Sequence, residues 1–249
     1  KADEREYLYK DFKVLPWCTR CGTGLSSHEL NQPGAYKDVK DLSVYVKFKI
    51  VGVENGYFMA WTTTPWTLPG NVGLAVGSDI DYVEAKVGNE VLVVAKERIS
   101  VLGEGYEIIA EHKGSEMVGM QYEPLYPYLS ELVTGDQKTK LQNAYKVYQA
   151  DFVTTTDGTG IVHTAVMYGA EDFDLGTKYD LPKFHLVNEE GKFIQGTGFL
   201  EGRYVKEVDG GISGGPGKPT LAVDIIDDLT NRKDGSLLFK KENHVHSYP

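Results

Sequence analysis

Three neighbouring threonines, Thr62, Thr63 and Thr64, stand inside the run Trp61-Thr62-Thr63-Thr64-Pro65-Trp66-Thr67-Leu68-Pro69-Gly70-Asn71, where a strand-like segment meets a proline-punctuated turn. Hydroxyls gathered at a strand mouth can hold polar groups, orient a water or steady a developing oxyanion. Threonine also favours strands on steric grounds, so the run alone does not make a site. If it is extended, alternation puts Thr62 and Thr64 on one face and Thr63 on the other. Further along, Gly158-Thr159-Gly160-Ile161-Val162-His163-Thr164-Ala165 is followed by Gly169 and by Glu171-Asp172-Phe173, which brings a histidine and an aspartate into one short segment. A third candidate is Cys18-Thr19-Arg20-Cys21-Gly22. Two cysteines so spaced supply half of a tetrahedral zinc site, and no strand-to-helix context around them favours a redox pair.

Such groups need a scaffold, and a period of two dominates the chain. Val44, Val46, Phe48 and Ile50 alternate with Tyr45, Lys47 and Lys49, the pattern of a strand with one buried and one wet face. Tyr82 to Val87 and Val91 to Ala95 flank Gly88-Asn89-Glu90 and read as a hairpin, and Tyr57 to Thr62, Val72 to Val76 and Gly160 to Thr164 read as further strands. Helices are predicted over Leu221 to Arg232, where Leu221, Ile225 and Leu229 recur after Pro219-Thr220, and over Glu171 to Tyr179. Many short strands with a few peripheral helices predict a mainly β, barrel-like domain rather than a parallel α/β sheet. Asp209 to Lys218 is glycine-rich and predicts a flexible loop.

Composition excludes several function classes. The net charge of −10 has the wrong sign for a protein that grips nucleic acid through its phosphates, though contact with a nucleic-acid terminus alone stays open. No window approaches the roughly 18 apolar residues of a membrane helix, and Lys1-Ala2-Asp3-Glu4-Arg5-Glu6 is charged where a signal peptide would be apolar. The expectation is a soluble, intracellular protein in a reducing compartment, with no membrane partner. The chain stops at His246-Ser247-Tyr248-Pro249, straight after a strand-like run, as if cut from something longer.

Trp61 to Asn71 resembles the threonine-rich motif of the editing domain of isoleucyl-tRNA synthetases, which is inserted between the halves of that family's catalytic domain. Valyl and leucyl relatives typically place arginine where Thr64 stands. Gly158 to Ala165 with Gly169 and Glu171-Asp172-Phe173 is similar to a second block of the same family, in the right order. Val14-Leu15-Pro16-Trp17-Cys18 to Leu30 and His246 to Pro249 are similar to the segments leading into and out of the insertion, so the resemblance covers essentially the whole chain. Val166-Met167 departs from the proline and small residue usual there, and the 209–218 segment has no counterpart in the pattern.

The resemblance implies a lead-in segment over 1–40, a barrel-like editing domain over 41–240 and an exit segment over 241–249. It implies an aminoacyl-tRNA deacylase in the cytoplasm, within an ATP-dependent parent ligase, that hydrolyses valine wrongly joined to tRNA(Ile), and it leaves open whether valyl-adenylate is cleaved as well. Binding alone discriminates poorly here: the isoleucine and valine pair is the standard illustration that one methylene is worth only about 1–3 kcal/mol. Thr62, Thr64, His163 and Asp172 are the implied catalytic residues, with Thr63, Trp66 and Asn71 in substrate binding. Asp172 would pair with the substrate ammonium, His163 would set the size limit and bond the reacting ester, Trp66 would wall the pocket, and Asn71 would bond substrate or fix the loop. Water would attack without a covalent intermediate, since no nucleophile has a local base motif. The partners implied are the tRNA(Ile) acceptor end carrying valine and the rest of the synthetase. Hydrolysis needs no cofactor, and a structural zinc on Cys18 and Cys21 would be completed by residues beyond Pro249. Two other readings remain: a metal-dependent hydrolase built from His163, Asp172, His185 and the His244-x-His246 pair, and a non-catalytic module binding a tRNA end or nucleotide.

Overall fold

A computed structural model describes residues 4–5, 7–8, 12–207 and 220–248, and the glycine-rich loop expected over 209–218 lies outside these. Strands β1 (Trp17–Cys18) and β2 (Thr23–Gly24) pair as a small antiparallel ribbon. The main sheet has nine strands: β3 (Lys37–Lys49), β4 (Gly56–Thr62), β5 (Gly73–Val76), β6 (Asp81–Val87), β7 (Glu90–Ala95), β8 (Tyr106–Lys113), β9 (Lys146–Gln149), β10 (Ile161–Thr164) and β11 (Leu238–Tyr248). Seven of them lie side by side in the order β8-β6-β7-β4-β10-β5-β9, with β3 on β4 and β11 on β3. The domain is mainly β, a curled half-barrel with few helices, as the sequence predicts.

The curl originates at β4. One edge of this strand is occupied by antiparallel β3, from Val44↔Thr62 to Lys49↔Tyr57. The other edge is divided: β7 runs parallel to Gly56–Phe58, and β10 runs parallel to the far end, Val162 opposite Trp61. The sheet therefore splits where β7 ends and β10 begins. Gly160 sits at that split with φ +74°, and a Cβ there would lie 2.4 Å from Ala95 Cβ, so only glycine fits. The Ala95 amide donates to Thr159 O at 2.8 Å and closes the junction.

Both faces of β3 are covered, which corrects the expectation of a wet face. Val44, Val46, Phe48 and Ile50 point into one core, while Tyr45 and Lys47 are only 4% and 5% exposed. Tyr57, Met59, Val83, Leu92 and Leu102 form a second core with Tyr45 on that side. Lys47 is tolerated there because its Nζ donates to both Glu90 carboxylate oxygens, at 2.7 and 2.8 Å. Alternation in sequence reports which residues are apolar, and here a paired lysine imitates a solvated position.

The first core is closed by the helix Leu221–Thr230, in which Leu221, Ile225 and Leu229 are fully buried. Each such side chain contributes about 1.5–3 kcal/mol. The helix Ala170–Lys178 packs on the other side, where Leu175 and Val166 meet Val72 and Ala75. In the β6–β7 hairpin Val87 pairs with Glu90, so the turn is Gly88-Asn89, with Gly88 at φ +60°. The ribbon of β3 and β11 is paired from Lys37↔Tyr248 inward and crosses positions 40/41 and 240/241 without a break. Among the described residues, no helix is long and apolar enough to cross a membrane.

Candidate active site

The threonine run lies where β4 gives way to a 3-10 helix, Pro65–Gly70. Pro65 opens that helix because its fixed φ suits the first position and its missing N–H costs nothing there. The turn folds the run back on itself. Thr62 and Thr64 place their Oγ1 atoms 3.2 Å apart, and the Thr64 amide donates to Thr62 Oγ1 at 3.1 Å. These two share a side, as alternation predicts. Thr63 is half-buried and joins no hydrogen bond of this cluster among the described residues.

His163 is the point to which the threonines connect. It lies on β10 and faces the first core, its ring stacked 6.4 Å from that of Phe48. Thr67 Oγ1 stands 3.0 Å from Nε2, and Asn71 Nδ2 stands 2.8 Å from Nδ1. Thr67 Oγ1 also donates to Thr64 O at 2.8 Å and lies 3.3 Å from Thr64 Oγ1. Asn71 Nδ2 donates to Gly73 O at 2.9 Å, and its Oδ1 accepts the Tyr122 hydroxyl at 2.6 Å. Burial lowers the imidazole pKa to about 3, so the ring is neutral. The sequence reading gives this imidazole a bond to a reacting ester, whereas in the structure both nitrogens bond to protein groups. Of the two roles expected for Asn71, the geometry shows the one that fixes the loop.

Asp172 occupies the first turn of the Ala170–Lys178 helix. Its Oδ2 accepts the Ala165 amide at 3.2 Å, two residues beyond His163. Burial pushes its pKa up to about 7, with the neighbouring Glu171 charge adding to the rise and the Ala165 amide opposing it. Among the described residues no cation lies within ion-pair distance of it. Gly169 caps this helix, and a Cβ on it would come within 3.0 Å of Asp172 Oδ2, so the loop hugs the carboxyl. Val166, the departure from the family pattern, is buried against Gly176, where a Cβ would lie 2.6 Å from its methyls.

Trp66 joins the two motifs. Its ring meets Tyr168 edge to face at 5.1 Å, and Gly70, at the end of the same turn, leaves room for Tyr168. Trp66 Nε1 and Thr164 Oγ1 are buried and have no hydrogen-bond partner among the described residues. The structure thus brings together Thr62, Thr64, Trp66, Asn71 and His163, with Asp172 one turn further along the β10 exit. Thr67, Tyr122 and Tyr168 were not singled out from sequence. Thr67 is flagged only by its place in the motif, and nothing local marks Tyr122.

The remaining candidates lie apart. His185 packs on Phe12 and Tyr168, and His244 meets Trp61 edge to face at 5.2 Å. Among the described residues no group of three or more metal-ligating side chains exists. The Cys21 amide donates to Cys18 Sγ at 3.3 Å, and the Cys21 thiol beside Cys18 holds the Cys18 pKa down. This pair suits two ligands of a zinc site and finds no third within the described residues. Two clefts, of about 310 and 550 Å3, are lined by other residues, among them Asp151, Glu171, Asp174 and Lys178 in the first and Asp79, Lys96 and Glu97 in the second.

Fold and site together define a mainly β, half-barrel domain with a hydroxyl-lined strand mouth, a neutral buried histidine and a carboxyl whose pKa desolvation raises. The chain is 46% identical over 246 residues to the isoleucine--tRNA ligase of Clostridium tetani, covering 98% of this chain and 21% of that one. It is 45% identical over 246 residues to that of Clostridium acetobutylicum and 44% over 247 residues to that of Bacillus thuringiensis, each covering 99% of this chain and 21% of the relative. The chain is a segment of the isoleucine--tRNA ligase family, spanning about a fifth of the length of these curated relatives. No protein-family model matches it. Among solved structures, GlLeuRS-CP1 aligns with a TM-score of 0.44 at 17% identity, covering 56% of this chain and 65% of that one. The P. falciparum cytosolic leucyl-tRNA synthetase editing domain aligns with a TM-score of 0.41 at 11% identity, covering 56% and 68%.

Proposed function

We propose that this chain is the hydrolytic proofreading domain of its synthetase, releasing valine from tRNA(Ile) in the cytoplasm. The observation that carries the reading is the parallel pairing of β10 with β4, Val162 opposite Trp61, which sets the threonine mouth beside His163 and the loop to Asp172. A mischarged end presents an ammonium, an ester carbonyl and ribose hydroxyls. Asp172 is half-buried and its carboxyl meets no cation among the described residues, so an arriving ammonium would lower its pKa and pair with it as a carboxylate. Thr62 and Thr64 bind the ribose and orient the attacking water, with Thr63 supporting them from the other face, while backbone N–H groups of the turn steady the oxyanion. Trp66 walls the pocket. His163 serves by shape, because its nitrogens are engaged inside the protein. No metal takes part in hydrolysis. A zinc on Cys18 and Cys21 would be structural and would need two donors from elsewhere in the longer protein. The same pocket accommodates valyl-adenylate, whose reacting end carries the same ammonium and acyl carbon.

The test offers this chain Val-tRNA(Ile) and Ile-tRNA(Ile), with wild type and Asp172→Ala compared. The expected result is faster release of valine than of isoleucine, lost in the variant. Equal release of both, or full activity in Asp172→Ala, overturns the reading.

A further inference from the structure

The hydrogen bonds behind the threonine mouth form a chain whose direction can be worked out from one end. An amide nitrogen only donates, and Asn71 Nδ2 is held in place by Gly73 O at 2.9 Å, so His163 Nδ1, 2.8 Å away, must accept. A neutral imidazole that accepts at Nδ1 carries its proton on Nε2, which therefore donates to Thr67 Oγ1 at 3.0 Å. Thr67 in turn sends its own hydrogen to Thr64 O at 2.8 Å. With that hydrogen committed, Thr67 can accept from the Thr64 hydroxyl but cannot donate to it. The opposite tautomer would set an Nδ1 hydrogen against the Asn71 amide hydrogens and draw the Thr67 hydroxyl hydrogen to Nε2, leaving Thr64 O with the Thr67 backbone amide, 2.9 Å away, as its donor.

At the inner end stands Tyr122, fully buried, whose hydroxyl donates to Asn71 Oδ1 at 2.6 Å. It lies outside every strand, in an isolated bridge with Ile50 and with its amide donating to Tyr145 O at 3.0 Å, and its ring is set edge to face against Phe48 at 5.4 Å, the residue on which the imidazole stacks. Without its hydroxyl, Asn71 Oδ1 would be a buried carbonyl oxygen lacking a donor, and a polarised series of bonds would lose its first member. We propose that Tyr122 is a positioning residue for this site: a one-way relay from Tyr122 through Asn71, His163 and Thr67 to Thr64 fixes His163 as its Nε2–H tautomer and leaves the Thr64 hydroxyl oxygen free to accept from a ribose hydroxyl or water at the mouth. The kinetic part of this inference rests on the proofreading reading, and the tautomer part does not.

The experiment uses the chain with 15N-labelled histidine, His163 being assigned with His163→Gln, and compares wild type, Tyr122→Phe and Tyr145→Phe. Tyr145 packs edge-on against Tyr122 at 6.2 Å and makes none of the relay bonds, so it controls for loss of a buried hydroxyl as such. Wild type is expected to carry the His163 proton on Nε2. Tyr122→Phe is expected to move the Nδ1 resonance and to lower kcat for valine release about fivefold with KM unchanged, the scale of one hydrogen bond, while Tyr145→Phe does neither. A proton on Nδ1 in wild type, or matching behaviour of the two tyrosine variants, overturns the relay. If wild type releases no valine the proofreading reading fails, and the relay is then judged by whether the Nδ1 resonance moves. Should Tyr122→Phe not fold, Asn71→Asp decides: it replaces the donor at Nδ1 by an acceptor, and the relay requires the His163 proton to appear on Nδ1.

Discussion

Asp172 reaches back from the first turn of its helix to the end of β10, its Oδ2 accepting the Ala165 amide at 3.2 Å. That bond holds the carboxyl in a place where burial opposes its charge and raises its pKa from 3.8 to about 7. Between about pH 4 and pH 7 the unfolded chain has lost this proton while the folded chain keeps it, so stability falls as pH rises through that window. Asp172→Asn keeps an oxygen for the Ala165 amide and removes the charge. It should match wild type in Tm near pH 4 and exceed it at pH 8, by roughly 2–4 kcal/mol in stability. An offset that is the same at both pH values would show that the carboxyl carries no burial strain.

Under the proofreading proposal the same proton governs activity. Because kcat/KM reports the free enzyme, valine release should rise with pH toward a plateau above about 7, as the carboxylate forms. It should fall again above roughly pH 8 as the substrate ammonium is lost. Rates measured from pH 5.5 upward, after subtraction of spontaneous ester hydrolysis, check this. A flat profile below pH 7 would remove Asp172 carboxylate from recognition.

Gly176 and Val166 are matched in volume. Gly176→Ala should destabilise by about 1–3 kcal/mol, because the new Cβ would lie 2.6 Å from both Val166 methyls. Adding Val166→Ala vacates that space and lets the helix gain its alanine preference, so the double variant should be more stable than Gly176→Ala alone. Denaturant unfolding of the four proteins measures the coupling, and simple additivity would refute the fit.

Lys47 owes its place to Glu90. Glu90→Ala leaves a buried ammonium without its carboxylate and should cost about 3 kcal/mol, whereas Lys47→Met with Glu90→Ala should recover much of the loss. Thermal unfolding of both variants checks the order.

Much of this was readable from residue types alone, and the exceptions have physical reasons. Leu221, Ile225 and Leu229 declared their helix because its apolar face is periodic and fully buried. Thr62 and Thr64 share a side, the side alternation gives them, although the strand ends at Thr62 and the turn, with the Thr64 amide on Thr62 Oγ1, is what holds them together. Lys47 misled because a β3 side chain that reaches past β4 to pair with Glu90 of β7 is polar in sequence and buried in space. Tyr122 was invisible because its role depends on one contact with Asn71, 51 positions away, and not on any pattern near it. The direction of the hydrogen bonds at His163 was equally out of reach, since it follows from which atom of Asn71 faces the ring.

The pairing of β10 with β4 has a kinetic consequence. Thr67 and His163 are 96 positions apart, with the five strands β5 to β9 between them in the chain. Contacts of such long sequence separation carry a loop-closure cost that slows folding. During synthesis the chain must emerge past residue 163 before any of the histidine's partners can find it. The bonds that back the threonine mouth therefore belong to the long-range, slowly closed part of the fold.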